Sequence, residues 1–248
     1  MNVEQPVRVF GDEPVMMASA LTSPVFVSRD RAQGVLEMER QAPSSLVILD
    51  DGFQHARLHR DLDLVVINTD RDPSQSYCLP YGDLRESLTA LRRAGAVLLV
   101  EGEEPGFRTA WEELLGGVCS HVPCFPAKRR ICGFEDGSGT VTLDKTTLGP
   151  VGLFSAIGYP DSFTKDVSNL VRVSHVKIFP DHFPYSPQSV RQLASARKGF
   201  RYWVTTEKDF VKAAPYFRDL GEPLLFARMQ YEFSDKFSYF VKSQIGAR

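Results

Sequence analysis

The chain has 248 residues, and no stretch of it approaches the roughly 20 apolar residues that cross a bilayer. A single membrane-spanning helix is therefore not expected. Met1-Asn2-Val3-Glu4-Gln5-Pro6 carries no signal-peptide pattern. Cysteine is scarce. Cys78, Cys119, Cys124 and Cys132 form no C-x-x-C pair and have no metal-ligand spacing with histidine. They read as reduced thiols of a cytoplasmic protein, and this excludes a disulfide scaffold or a structural zinc site. Charge of one sign is lacking too. A net charge of −2 excludes a broadly basic nucleic-acid binder, so no nucleic-acid partner is expected. The phosphate-cradling pattern G-x-x-x-x-G-K-[ST] does not occur. Gly133 to Lys145 has glycines and a Lys-Thr pair, but at the wrong spacing.

What is present centres on Ser45-Leu46-Val47-Ile48-Leu49-Asp50-Asp51-Gly52-Phe53-Gln54-His55. Four apolar residues run into two aspartates, and a glycine then turns the chain. A short apolar run reads as a buried parallel strand. Ligands of open α/β sheets bind at the carboxyl ends of such strands. Adjacent carboxylates there repel unless a cation or donors hold them, and a magnesium ion carrying phosphates is one such cation. A solvated Asp-Asp-Gly turn is the equal alternative on spacing alone.

The rest of the chain alternates strand and helix. The pattern predicts a helix from Val15 to Leu21, a strand at Pro24–Ser28 and a helix capped by Asp30 through Glu39. Strands follow at Leu46–Leu49, Leu64–Asn68 and Ala96–Val100, with a helix from Ser87 to Ala94. Phe125–Phe134 and Thr140–Leu143 flank Asp136-Gly137-Ser138-Gly139 and read as a β-hairpin. A second run follows, with strands at Val151–Ile157, Val171–Ile178, Tyr202–Thr206 and Leu224–Met229. Helices are expected at Asp161–Leu170, Pro187–Arg197, briefly from Glu207, and at Phe233–Ile245. This order predicts an α/β protein with a doubly wound parallel sheet. Three segments are expected: a lobe over 1–124 with the Asp50–Asp51 strand, a two-stranded linker over 125–145, and a second, smaller α/β lobe over 146–248.

Five clusters bear chemistry. Asp12, in Gly11-Asp12-Glu13-Pro14, precedes a helix and on its own reads as a cap. Gln54 to Asp61 gathers two histidines and two arginines, suited to phosphate or to a solvated loop. Arg85, in Leu79-Pro80-Tyr81-Gly82-Asp83-Leu84-Arg85-Glu86, follows a parallel strand and can face the same sheet edge as Asp50. It can equally pair with Asp83 or Glu86. His182 stands beside Asp181 between two prolines, a rigid presentation of a titratable group or a packed loop. Lys208, in Thr205-Thr206-Glu207-Lys208-Asp209, can meet an anion or lie exposed in the first turn of a helix.

Gly11–Pro14, Leu49–His55, His59-Arg60-Asp61-Leu62, Leu79–Glu86, Phe179–His182 and Thr206–Asp209 occur in this order. Together they closely resemble the tetraacyldisaccharide 4'-kinase family, the lipid A 4'-kinases of Gram-negative bacteria. The resemblance covers nearly the whole chain. It implies a P-loop-kinase-like sheet lobe, lacking here its N-terminal strand and phosphate loop, joined by the hairpin to the second lobe. It implies transfer of the ATP γ-phosphoryl group to the 4'-hydroxyl of a tetraacyl glucosamine disaccharide 1-phosphate. That lipid lies in the cytoplasmic face of the inner membrane, so a peripheral location is expected. Asp12 would be the base, with His182 from the other lobe orienting or tuning it. Asp50 and Asp51 would hold Mg2+ and the nucleotide, and Gln54, His55 and Arg85 would line the substrate and phosphate cleft. Family members carry a membrane-associated segment, a phosphate loop and its helix before Gly-Asp-Glu-Pro, where here only residues 1–10 stand. Three explanations fit this sequence: a piece of a longer kinase, one half of a split enzyme completed by a separate P-loop polypeptide, or a non-catalytic homologue that binds the lipid or a partner. A small-molecule-binding α/β protein of an unrelated kind is the further alternative.

Overall fold

The computed structural model describes residues 6–44, 46–102, 106–138, 141–142 and 148–246. In chain order the elements are α1 (Pro6–Phe10), α2 (Asp12–Ala20), α3 (Arg31–Gln41), β1 (Leu64–Asn68), β2 (Ala96–Glu101), α4 (Arg108–Val118), β3 (Cys124–Glu135) and β4 (Val141–Thr142). Then follow β5 (Val151–Ser155), α5 (Pro160–Ser168), β6 (Val173–Ile178), α6 (Pro187–Ala196), β7 (Tyr202–Thr205), α7 (Glu207–Asp219), β8 (Leu224–Phe233) and α8 (Asp235–Ile245). Short 3₁₀ turns lie at Pro73–Gln75 and Leu88–Arg93. Several helix starts follow directly from sequence. The Asp30 carboxylate accepts from Ala32 N and Gln33 N at the head of α3. Ser186 and Ser189 form a reciprocal capping box at the head of α6, with Pro187 in its first turn.

The chain forms two compact units that do not follow the expected segments 1–124, 125–145 and 146–248. One contains residues 1–43 and 131–229, the other 44–130 and 230–248. In the first unit β6, β5, β7 and β8 lie side by side in that order, and each neighbouring pair is parallel. β5 sits between β6 and β7, so the chain reverses its direction of winding there. Such a reversal opens a crevice at the carboxyl ends of the strands. Helices cover both faces. Phe163 and Val167 of α5 pack with Val151, Leu153 and Val204. Val190 and Leu193 of α6 and Ala213 and Phe217 of α7 pack with Phe154 and Trp203 on the other face. The central strands β5 and β7 are buried on both sides, as parallel strands between helices must be, whereas the edge strand β6 is largely exposed. β3 and β4 pair antiparallel through Phe134–Thr142 and Glu135–Val141, the expected hairpin.

In the second unit β1, β2 and the first half of β3 form a parallel ladder. Trp111 and Leu115 of α4 pack with Val97 and Leu99 on one face. Phe237 of α8 packs with Leu98, Val100 and Ala127 on the other.

Two expected strands do not form. Pro24–Ser28 has no ladder. Neither does Leu46–Leu49, and Ile48 there is 86% exposed. The physical reason is the same in both places: an apolar run becomes a buried strand only when another strand takes up its N–H and C=O groups. Among the described residues β1 pairs with β2 alone, and none of the strands adjoins 46–49. The apolar run that leads to Asp50 therefore lies outside any ladder and is largely exposed.

Candidate active site

The crevice of the first unit holds a cluster of titratable groups. Gly11 has φ +90, a left-handed conformation that suits glycine, and it turns the chain from α1 into α2. Asp12 is thereby the first residue of α2, and its side chain is only 12% exposed. His182 lies in the loop four residues beyond the end of β6. Its Nδ1 is 3.3 Å from Asp12 Oδ2. Its Nε2 is 3.4 Å from Lys208 Nζ, in the first turn of α7. An ammonium has no lone pair to offer, so Nε2 is the acceptor and the ring proton sits on Nδ1, where it is donated to Asp12. His182 itself has φ +56.

α7 supplies the other side. Asp209 is fully buried, and its Oδ2 accepts from Ala156 N at 2.8 Å and Thr206 Oγ1 at 3.0 Å. This joins the carboxyl ends of β5 and β7. Lys212, one turn on and 7% exposed, places Nζ 2.9 Å from Asp209 Oδ1 and 3.3 Å from Asp12 Oδ2. Both contacts are ionic and lack the alignment of hydrogen bonds. Lys208 also reaches Glu13 Oε1 at 3.2 Å and Asp181 Oδ1 at 3.9 Å. Burial alone would raise the Asp12 carboxyl, but the cations of Lys212 and Lys208, with His182, outweigh it and hold it below the usual range. Burial, then the negative charge of Asp209, pushes the Tyr185 phenol up. Asp12 is thus an ionised carboxylate beside a donor imidazole, able to accept a proton from a hydroxyl.

Asp12 and His182 were expected on separate lobes. They belong to one compact unit, because residues 1–43 pack with 131–229. Of the two alternatives that the sequence offered for Lys208, an anion or solvent, the structure shows anions, the carboxylates of Glu13 and Asp181, and adds the His182 imidazole. Lys212 escaped the sequence reading. Its signal was an Asp and a Lys three apart, Asp209 and Lys212, in the opening turns of a helix that follows a buried strand.

The second unit carries the other expected residues. Arg85 Nη1 is 2.8 Å from Asp51 Oδ2. The two nearer candidates are taken: Asp83 pairs with Arg71 at 2.6 Å and Glu86 with Arg93 at 2.6 Å. Asp51 has φ +49. The Gln54 side chain bonds Glu86, whose carboxyl is held low mainly by Arg93. The His55 carbonyl accepts a hydrogen bond from Arg60 Nη1, while the ring Nε2 of His55 is buried and makes no hydrogen bond. Asp50 adjoins Asp51 on the same turn. Among the described residues no three His, Cys, Asp or Glu side chains group closely enough to hold a metal unaided. Two adjacent carboxylates still match the needs of magnesium, which takes one or two protein oxygens and completes its shell from phosphates and water.

A doubly wound α/β unit with a carboxylate, an imidazole and two ammonium groups at the carboxyl edge of its strands belongs to the class of α/β proteins that act on ligands at a topological switch point. Within that class the chain belongs to the LpxK family, tetraacyldisaccharide-1-P 4'-kinase, whose profile matches residues 1–246. It is 33% identical over 218 residues to a tetraacyldisaccharide 4'-kinase of Elusimicrobium minutum, covering 85% of this chain and 58% of the relative. It is 35% identical over 221 residues to that of Geobacter metallireducens, covering 85% and 62%. The chain therefore spans about three fifths of the length of these relatives. A crystal structure of LpxK from Aquifex aeolicus in complex with ATP is 28% identical, with a TM-score of 0.69 over 95% of this chain and 69% of the other.

Proposed function

We propose that this chain is the larger part of a tetraacyldisaccharide 4'-kinase, which moves the γ-phosphoryl group of ATP to the 4'-hydroxyl of a tetraacyl glucosamine disaccharide 1-phosphate. The observation that carries this reading is the contact between Asp12 and His182, 170 residues apart in sequence. In the reaction Asp12 takes the hydroxyl proton while the 4'-oxygen forms its bond to the γ-phosphorus. The bond from that phosphorus to the β,γ-bridging oxygen breaks, and ADP leaves. His182 orients Asp12 through Nδ1–H. Phosphoryl transfer asks for positioning and charge neutralisation more than for covalent chemistry, and the cluster offers both.

In the same reading Asp50 and Asp51 would hold Mg2+, which would supply neutralisation of phosphate charge, and Arg85 would exchange Asp51 for a phosphate oxygen when nucleotide binds. Gln54 and His55 line the substrate side of that turn. ATP is the donor, in keeping with the ATP-bound LpxK structure. The phosphate loop comes from a further segment, attached or separate, because G-x-x-x-x-G-K-[ST] is not among these 248 residues. Segment 125–145 serves as the connector of the assembled kinase. The lipid substrate places the protein peripherally at the cytoplasmic face of the inner membrane. No helix among the described residues is long and apolar enough to cross that membrane.

The test joins this chain to the N-terminal segment of the Geobacter metallireducens relative and measures transfer from ATP to the lipid. Asp12→Asn is expected to slow transfer by about 10²- to 10⁴-fold with nucleotide binding intact. Asp50→Ala and Asp51→Ala are expected to weaken Mg–ATP binding. Lipid binding without transfer would favour the non-catalytic reading, which draws its support from the same missing loop.

A further inference from the structure

We propose that Lys212 is a positioning residue for Asp12, anchored by Asp209, so that this buried pair sets the orientation and the charge state of the proposed base. The inference rests on the reading of Asp12 as that base. Asp209 is fixed first. It is fully buried and accepts from Ala156 N at the end of β5 and from Thr206 Oγ1 at the end of β7. Lys212 is fixed next, between Asp209 Oδ1 at 2.9 Å and Asp12 Oδ2 at 3.3 Å, with the Tyr185 ring 5.4 Å from Nζ. Asp12 is thereby registered against the carboxyl ends of the two strands that flank the crevice.

Buried ion pairs seldom stabilise a protein more than apolar residues of equal size would. The nearly buried ammonium of Lys212 also makes no aligned hydrogen bond. Stability alone is a poor reason for this pair. A function at Asp12 is a better one. With Oδ2 facing Lys212 and His182, Oδ1 accepts among the described residues only from Glu13 N at 3.1 Å and keeps a lone pair for a hydroxyl proton. Lys208 lies against Glu13, Asp181 and His182, so its charge is shared among more exposed groups. Tyr185 remains neutral. Lys212 is the cation buried with Asp12, and Asp209 is the anion that opposes it.

The 248-residue chain itself permits the test. The Asp12 carboxyl is followed by ¹³C NMR through an acid titration and assigned by its loss in Asp12→Asn. In Lys212→Met its midpoint is expected to rise, because a cation is lost. In Asp209→Asn it is expected to fall, because an opposing anion is lost. The double variant Lys212→Met/Asp209→Asn leaves no uncompensated buried charge and is expected to fold and show a smaller rise. Midpoints that stay unchanged in all three folded variants would overturn the proposal, since a merely structural role lowers stability without moving them. In the completed kinase Lys212→Met is expected to lower kcat about 10²-fold with KM for ATP within about twofold. Shifted midpoints with no transfer by the unmutated kinase would overturn Asp12 as the base and leave the coupling standing. Transfer that depends on Asp12 with unshifted midpoints would overturn the coupling alone.

Discussion

Asp51 and His182 are the two non-glycine residues with positive φ among the described residues, at +49 and +56. A left-handed conformation costs a non-glycine residue on the order of 1 kcal/mol, and it persists where surrounding contacts over-determine it. At Asp51 the contact is Arg85; at His182 the flanking carboxylates of Asp12 and Asp181 and the ammonium of Lys208 play that part. Asp12 carries a consequence for stability. Its folded carboxyl titrates below the unfolded value of 3.8. Ionisation is therefore favoured in the folded chain, and the stability this gives is fully present above that unfolded value. It is lost as pH falls through the lower, folded value. Denaturant unfolding of the native chain and Asp12→Asn should differ at neutral pH in favour of the native chain. The difference should shrink as the pH falls below about 4. A difference that does not change with pH would contradict the assignment of an ionised Asp12 held by cations.

At the scale of elements, local chemistry was readable and pairing was not. Asp30 was legible as a cap because a short acceptor before a helical run satisfies N–H groups left open at a helix start. Asp30→Ala is expected to cost about 1 kcal/mol, read as a lower denaturant midpoint with an unchanged slope. β1 and β5 to β8 were legible as short apolar runs between turns. The run 46–49 looked the same and is no strand, because its composition does not say whether a partner strand lies beside it. α4 was overlooked although Trp111 and Leu115 lie four apart on its buried face, since Gly116-Gly117 interrupts the pattern. The helix from Glu207 was expected to be short and has 13 residues, continuing through Pro215. Gly11 links turn to site. A side chain there would meet only Pro14 Cδ at 3.6 Å, so the obstacle is the φ of +90 rather than space. Gly11→Ala should cost on the order of 1 kcal/mol and displace Asp12. In the completed kinase it should lower kcat well before it lowers the yield of folded protein; equal loss of both would mean that Gly11 serves the fold alone.

For the whole molecule, the α/β class could be read from alternation, but the compact units could not. Two of their boundaries, 130–131 and 229–230, cut across β3 and β8, so each strand begins in one unit and ends in the other. A linear reading of sequence assigns an element to one segment and misses this. The same habit put Asp12 and His182 on different lobes. Of the candidate residues, the Asp12–His182 and Arg85–Asp51 contacts are each between groups that sequence order alone could only collect. Lys212 had no place in that collection, since a lysine on a helix has no distinguishing mark until its neighbours are known. The family is shared along residues 1–246, while the chain spans only about three fifths of the two bacterial relatives compared. Transfer of a phosphoryl group to a lipid hydroxyl by the cluster around Asp12, the proposed reaction, can be followed directly. The most direct measurement follows label from [γ-³²P]ATP in the completed protein supplied with tetraacyldisaccharide 1-phosphate and Mg2+. Label is expected on the 4'-oxygen, and its loss is expected in Asp12→Asn. A completed protein that binds nucleotide and lipid yet leaves the lipid unlabelled, or labels it equally well without Asp12, would contradict it.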